Sequence, residues 1–112
     1  MTITQALYEY LSGQLEEPVY TMVPANMPAK FVVIEKTSGG EENYIYHSMF
    51  TIRSYASTLD DADVLNDDVK NAMRDAITVD MITSCKLNSD YNFTDTAEKK
   101  YRFQAVFDVD HY

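Results

Sequence analysis

The hydrophobic and polar positions follow two periods along the chain, one typical of helices and one typical of strands. Near the amino terminus, apolar residues recur at three- and four-residue spacing, which places them on one face of a short helix. These residues are Ile3, Ala6, Leu7, Tyr10 and Leu11. Gly13 follows at a position where helices commonly end in a left-handed residue, so we expect this helix to end there.

Three β-rich segments come next. Residues 18–23 begin with Pro18, which cannot donate to a β-ladder, so they are predicted to form an edge strand or the start of a strand. Residues 30–36 have a continuous apolar centre, which is typical of a strand covered on both faces. Residues 44–55 are rich in aromatic and β-branched side chains and predict a longer strand. Between the last two, residues 37–43 contain paired glycines and are predicted as the hairpin turn.

The strand predicted over residues 44–55 is partly apolar on both faces. A strand of this kind indicates that one face contacts another protein rather than water. The side chains that alternate onto the more aromatic face are predicted as interface residues. They are Tyr44, Tyr46, Phe50 and Ile52. His47 lies in the same strand, where a solvent-facing or cross-strand position is the ordinary expectation.

A second helix is predicted over residues 57–77. Ser57 is a good N-cap, and Asp60 occupies the third helical position, as in a capping box. Lys70 and Arg74 come later in the helix and are expected to pair back at three- to four-residue spacing, to Asp67 or Asp68 and to the neighbours of Lys70. Apolar residues at helical spacing form a stripe that is expected to be buried. The stripe comprises Leu59, Ala62, Leu65, Val69, Met73 and Ile77.

The chain closes with two predicted strands, residues 81–93 and residues 99–109, joined by a polar turn at residues 94–98. The second strand has a clear alternation of apolar and polar positions. The element order is therefore α-β-β-β-α-β-β. This order predicts a single α+β domain over residues 1–112, with two helices packed on a mostly antiparallel sheet.

Composition and charge narrow the function classes. The chain has 112 residues, of which 46% are hydrophobic and 24% are charged, as expected of a globular domain. Its net charge of −9 argues against tight binding of nucleic acid, because Lys and Arg supply most of the affinity of a protein for nucleic acid. Cys85 is the single cysteine, so an intrachain disulfide is excluded and a reducing compartment is favoured. The sequence predicts neither a membrane span nor a signal peptide.

The aspartates between residues 60 and 68 raise the question of a calcium loop. An EF-hand loop needs oxygen ligands at alternate positions, a glycine at the sixth and a glutamate at the twelfth. Counting from Asp61, the sixth residue is Asn66 and the twelfth is Ala72, and a count from Asp90 fails in the same way. The acids are instead predicted to form the outer face of the helix, where the first turn favours negative charge.

Other chemistry has little support in the sequence. His47, His111 and Cys85 are too few for a closed zinc site without carboxylates. A Ser-His-Asp arrangement stays open, because triads assemble in space, but no nucleophile-elbow pattern is present. We predict that the protein is not an enzyme and that it has no metal, cofactor or catalytic residue.

The succession of segments resembles the tail completion proteins of long-tailed bacteriophages and prophages, the tail terminator or head–tail joining family. The resemblance covers most of the chain. It is carried by the short first helix followed by four stretches, PVYTMVPANMPAKFVVIEKTSGG, TIRSYAST, DDADVLNDDVKNAM and YRFQAVFDV. The family has no short site motif, so no functional residue is carried over.

The resemblance implies an α+β virion subunit that forms a hexameric ring at the head-proximal end of the tail. Such a ring stops growth of the tail tube and docks to the head connector, without catalysis or cofactor. It would be assembled in the cytoplasm of the host bacterium. An acidic lumen would let DNA pass without being gripped. The acids that we place on such a lumen, its rims or an acidic outer face are Glu41, Glu42, Asp60, Asp61, Asp67 and Asp68.

Two alternatives stay open at this point. The alternative to the tail protein is a monomeric α+β adaptor module of a bacterium or phage, in which the tyrosine-rich strand binds a peptide. The acidic helix face is also consistent with simple solvation, without any role in a channel.

Overall fold

The computed structural model describes residues 1–94 and 101–112, and within them the chain forms two α-helices and one five-stranded sheet. The elements are α1 (Ile3–Gln14), β1 (Val19–Tyr20), β2 (Phe31–Glu42), β3 (Ile45–Ala56), α2 (Leu59–Arg74), a 3-10 turn (Ala76–Thr78), β4 (Ile82–Asn92) and β5 (Tyr101–His111). The predicted α+β class and element order are confirmed. No helix in these two ranges is long and apolar enough to cross a membrane.

The strands lie in the order β1-β2-β3-β5-β4, with β1 parallel to β2 and every other pair antiparallel. β1 pairs with β2 at only two positions, Val19 with Val32 and Tyr20 with Val33. The first β-rich segment is therefore an edge strand, as predicted, but it is much shorter than residues 18–23. Beyond Val33, no described strand lies beside the outer edge of β2.

Helix α1 begins at a capping box. The Thr2 side chain accepts from the Gln5 N–H, and the Gln5 side chain accepts from the Thr2 N–H. The predicted apolar face is buried except at Tyr10, which is partly buried. The prediction that Gly13 ends the helix is wrong, since α1 continues to Gln14 and no glycine has a positive φ. Leu15 ends the helix in an extended conformation and packs against the core.

The N-cap of helix α2 lies one residue later than predicted. Thr58, not Ser57, is its N-cap, and the Thr58 hydroxyl accepts from the Asp61 N–H at 3.1 Å. The helix ends at Arg74, and the chain then tightens into the 3-10 turn. The middle of the predicted apolar stripe is buried, but its two ends are not, because Leu59 is 40% exposed and Ile77 is 57% exposed.

Both helices pack on one face of the sheet, and the main hydrophobic core lies between the helices and that face. The sheet contributes alternate residues to this core, for example Val32 and Ile34 from β2 and Phe50 and Ile52 from β3. The other residues of β2 point to the opposite face, where Phe31 and Val33 form a small second cluster with Tyr55 and Tyr20. Residues 31–34 are therefore all buried, which confirms the predicted coverage on both faces.

The turn between β2 and β3 is formed by Asn43 and Tyr44, so the prediction of a turn over residues 37–43 is wrong. Glu42 pairs with Ile45, and the two residues between them have φ of 51° and 66°. Positive φ at both central residues defines a type I′ turn, whose twist matches the flanking strands. The paired glycines lie within β2 instead, after a β-bulge between Lys36 and Ser38.

The last two predicted strands are present as β4 and β5. Strand β5 runs along the whole of β3, from Ala56 paired with Tyr101 to Tyr46 paired with His111. Most of the turn predicted at residues 94–98, and the predicted start of the last strand at residue 99, lie outside the described residues.

Candidate functional site

The far half of the β2–β3 hairpin extends beyond the core. Residues 35–42 of β2 are all exposed, in contrast to the buried residues before them. At the end of the hairpin, Tyr44 is 89% exposed and Tyr46 is 46% exposed. We call the segment from Glu41 to Tyr46 the hairpin tip. The hairpin tip therefore presents two tyrosines and two acids to the surroundings.

Tyr44 has an unfavourable backbone conformation. Its φ of 66° lies in the left-handed region, where a bulky side chain costs roughly 1–2 kcal/mol because Cβ approaches the following carbonyl oxygen. Glycine is the residue favoured at this position of a type I′ turn. Strained residues of this kind concentrate at functional sites.

Tyr46 is held in place by a buried polar group. Its ring stacks on that of His111, with the centroids 5.6 Å apart and the planes at 19°. His111 is itself buried, and its Nε2 lies 2.8 Å from the Ser48 hydroxyl oxygen. Stacking on a fixed imidazole limits the motion of the Tyr46 ring while leaving almost half of the residue open to contact.

Phe50 and Ile52 do not belong to this surface. Both are fully buried in the main core, beneath the two helices. Their predicted place on an exposed interface face is wrong. They alternate with the same period as Tyr44 and Tyr46, but the helices cover only the part of β3 that lies nearer to α2. The period gives the face of a strand and does not give the length over which that face is covered.

The predicted acidic residues do not form one patch. Glu41 and Glu42 are exposed in β2 at the hairpin tip. Helix α2 starts where β3 ends, at the opposite end of the sheet, so Asp60 and Asp61 lie far from the tip. Asp67 and Asp68 are exposed in the middle of α2. Any acidic lumen would therefore involve some of these positions and not all of them together.

Asp90 on β4 ties α2 to the sheet. One of its carboxylate oxygens accepts from the Asn66 amide and the other from the Lys70 ammonium, both at 2.6 Å. The hydrogen bond from Lys70 to Asp90 raises the pKa of Lys70. Lys70 also lies 3.1 Å from Asp67, which confirms the predicted pairing one turn earlier. The contact with Asp90 has no signal in the sequence, because the partners lie on different elements.

His47 lies across from Asp110, with Nδ1 2.5 Å from the carboxylate oxygen. The hydrogen bond to Asp110 raises the pKa of His47 above its ordinary value. Both side chains are substantially exposed. This geometry is the cross-strand arrangement expected from the sequence.

The sheet face without helices carries a row of stacked aromatic and basic groups that sequence reasoning missed. The Phe31 and Tyr55 rings stack with centroids 4.5 Å apart. The Arg102 guanidinium lies 4.6 Å from the Phe93 ring centroid and 5.8 Å from that of Tyr55. The pairing register brings these side chains together, and it is not visible in their sequence spacing. The row orders this end of the sheet.

The Cys85 thiol is poorly suited to act as a nucleophile. Burial raises the pKa of the Cys85 thiol to about 11, so the thiolate, which is the nucleophilic form, is scarce at neutral pH. Across residues 1–94 and 101–112, no group of three or more His, Cys, Asp and Glu side chains is placed to hold a metal ion.

Comparison with protein-family models and with curated proteins finds no match to this chain. The fold and the surface together define a small α+β domain with an exposed, strained hairpin tip.

Proposed function

We propose that this chain is a structural subunit of the tail terminator, or head–tail joining, ring of a long-tailed bacteriophage. The proposal rests on the resemblance of the chain to that family and on one structural observation, the exposed and strained Tyr44 at the hairpin tip. In this proposal the hairpin tip contacts a neighbouring virion protein, either the tail tube or the head connector.

Tyr44 supports a contact role because neither its backbone nor its side chain helps the isolated fold. The side chain is 89% exposed, so it contributes almost no burial. Its backbone conformation is one that glycine would adopt without cost. Tyrosine gives a large, rigid contact area with a polar end, which suits a protein interface.

The shape of the molecule also fits a subunit that bridges two partners. It measures 45 × 24 × 24 Å, and the strands β2 and β3 span most of the long axis. Tyr44 lies at one end. The loop leading into β2, with Met27 46% exposed, lies towards the other. A ring of such subunits would offer one kind of surface to the tail tube and another to the head connector.

The charge is compatible with a ring through which DNA passes. The net charge of −9 disfavours a counterion-driven grip on phosphates. If the hairpin tip or α2 faced the channel, its exposed acids would weaken binding of the passing DNA. A basic lumen in the assembled ring would contradict this part of the proposal.

The variant Tyr44→Gly tests the proposed role of the hairpin tip. Removing the strain is expected to stabilise the isolated chain by about 1 kcal/mol. If the tip is a contact, the same variant will fail to restore tails of normal length and attached heads to a phage that lacks this gene. Stability is measured by urea unfolding, and tails are measured by electron microscopy.

Tyr8→Ala is the matched control, because Tyr8 is a partly exposed tyrosine on α1, away from the hairpin tip. It is expected to restore normal tails. Deletion of the gene should give tail tubes of uncontrolled length without heads. Normal tails after deletion would overturn the proposed function, and normal tails with Tyr44→Gly would overturn the role of the tip.

A further inference from the structure

We propose that two copies of this chain join edge to edge, with β4 of one copy pairing antiparallel with the far half of β2 in the next. The inference concerns the subunit contact of the proposed ring and rests on that proposed function. The occupant of each edge is a second copy of this chain.

The two outer edges of the sheet are both available. β4 is an edge strand along its length, since β5 is its one neighbour in the described sheet. The outer edge of β2 is covered by β1 only at Val32 and Val33, and residues 35–42 of the same strand are all exposed. Unpaired strand edges are templates for pairing with another chain.

The strand directions fit a continuous sheet. β2 and β5 run in one direction, and β3 and β4 run in the other. If the next copy continues the sheet in the same sense, its β4 arrives antiparallel beside β2. The same two edges then repeat from copy to copy. A head-to-tail contact of this kind closes into a ring when the rotation between copies permits.

The side chains fit one register of this pairing. β-bulges divide the strands into regular stretches, which include residues 38–42 of β2 and residues 84–87 and 89–92 of β4, and the proposed register uses residues 84–87. Leu87 is 49% exposed on the helix-bearing face. Setting it across from Gly39 places its side chain beside the aliphatic part of Lys36, whose Cε lies 3.1 Å from where a Cβ on Gly39 would be.

The same register gives complementary charges. It sets the exposed Lys86 across from Gly40, on the same face as Glu42 and within diagonal reach of it. Pairing of two β2 edges would instead bring acids together, because the exposed half of β2 carries Glu35, Glu41 and Glu42 against a single lysine. Charge therefore favours the mixed contact over self-pairing of β2.

The contact is short, at four or five residues on each side. An interface well below the usual size of about 1,200 Å² is weak and transient on its own. Such a contact would be reinforced when several copies are held together on one tail, where linkage raises the effective concentration.

Crosslinking of two full-length variants tests the contact. One chain carries Gly40→Cys, where an added side chain meets no atom within 4 Å, and the other carries Ser84→Cys. Both carry Cys85→Ala, so that each has a single thiol. The two chains are mixed and treated with a short bismaleimide. The yield of mixed dimer is expected to be about tenfold higher than in a control mixture, in which the second chain carries Glu9→Cys on α1 in place of Ser84→Cys. A size tag on one chain separates mixed from self-crosslinked dimers.

Charge reversal provides the sharper test. Lys86→Glu in the Ser84→Cys chain is expected to lower the yield of mixed dimer about fivefold, and Glu42→Lys in the Gly40→Cys chain is expected to restore it. Lys30→Glu, a reversal at an exposed lysine outside both edges, should leave the yield unchanged. Circular dichroism of each variant checks that it is folded.

The outcomes separate the contact from the proposed function. Any of three results would overturn the edge contact. They are an excess of self-crosslinked dimers, a yield of mixed dimers no higher than that of the control pair, and a failure of Glu42→Lys to restore the yield of mixed dimers. Normal tails after gene deletion would overturn the tail function without affecting the crosslinking result. Rings seen by electron microscopy without the mixed crosslink would leave the tail proposal intact and refute this contact.

Discussion

The two halves of β2 have the same partner strand and opposite environments. Residues 31–34 are buried on both faces, and residues 35–42 are exposed throughout. Both halves pair with β3 in one antiparallel ladder. The difference lies in what covers them, since the helices and the Phe31–Tyr55 cluster reach only the first half. Burial of the near half therefore stabilises the hairpin, and the far half is left available for contacts.

The sequence of β2 follows the same division. The near half is a run of four apolar residues, whereas the far half contains glutamates, a lysine, small polar residues and two glycines. Apolar burial contributes about 25 cal/mol per Å², so substitutions in the covered region are expected to cost far more than those in the exposed region.

The largest effect is expected from Phe50→Ala, at the boundary of the covered region. Phe50 is fully buried, so the substitution removes its burial and leaves a cavity, at a cost of roughly 3 to 5 kcal/mol. The control is Tyr46→Ala, an exposed aromatic on the same face of the same strand, which should cost much less. Urea unfolding measures both. Equal costs would contradict the contrast between the two regions.

An intermediate effect is expected from Asp90→Ala, which removes the hydrogen bonds between α2 and β4 that the Asp90 carboxylate accepts. The variant leaves the buried Asn66 amide without its acceptor and removes one partner of Lys70. We expect a loss of about 2 kcal/mol, because an unsatisfied buried donor keeps its full desolvation cost. Asp67→Ala, which removes the more exposed partner of Lys70, is the control and should change stability little. A loss in Asp67→Ala as large as in Asp90→Ala would refute this account.

The smallest effect is expected from His47→Gln, in the exposed half. The pKa of His47 in the fold is raised above 6.5 by its hydrogen bond to Asp110, so protonated His47 stabilises the fold below pH 6.5. This contribution is lost as pH rises through the raised pKa. The melting temperature of the variant should therefore fall below that of the parent chain in acid, and the two should converge in alkali. A gap that widens with pH would have the wrong sign.

Much of the fold was predictable, because local patterns determine it. The helical spacing in α1, the apolar run that opens β2 and the alternation in β5 each gave the correct element. The errors came where a local sequence pattern indicated one structure and pairing between distant residues imposed another. The paired glycines suggested a turn, but the pairing of β2 with β3 continues past them to Asn43 and Tyr44.

The candidate site was predicted only in part. Tyr44 and Tyr46 are exposed, as an interface requires, whereas Phe50 and Ile52 are in the core. A period of two gives the face of each residue, but the extent of helix cover along that face depends on where α1 and α2 pack.

The sequence by itself determined the elements, their order and the α+β class, because helical and strand periods are properties of neighbouring residues. The tertiary structure decided which part of each apolar face is buried, how Asp90 joins α2 to β4, and which strand edges are left open. These features depend on residues far apart in the chain, and packing alone brings them together.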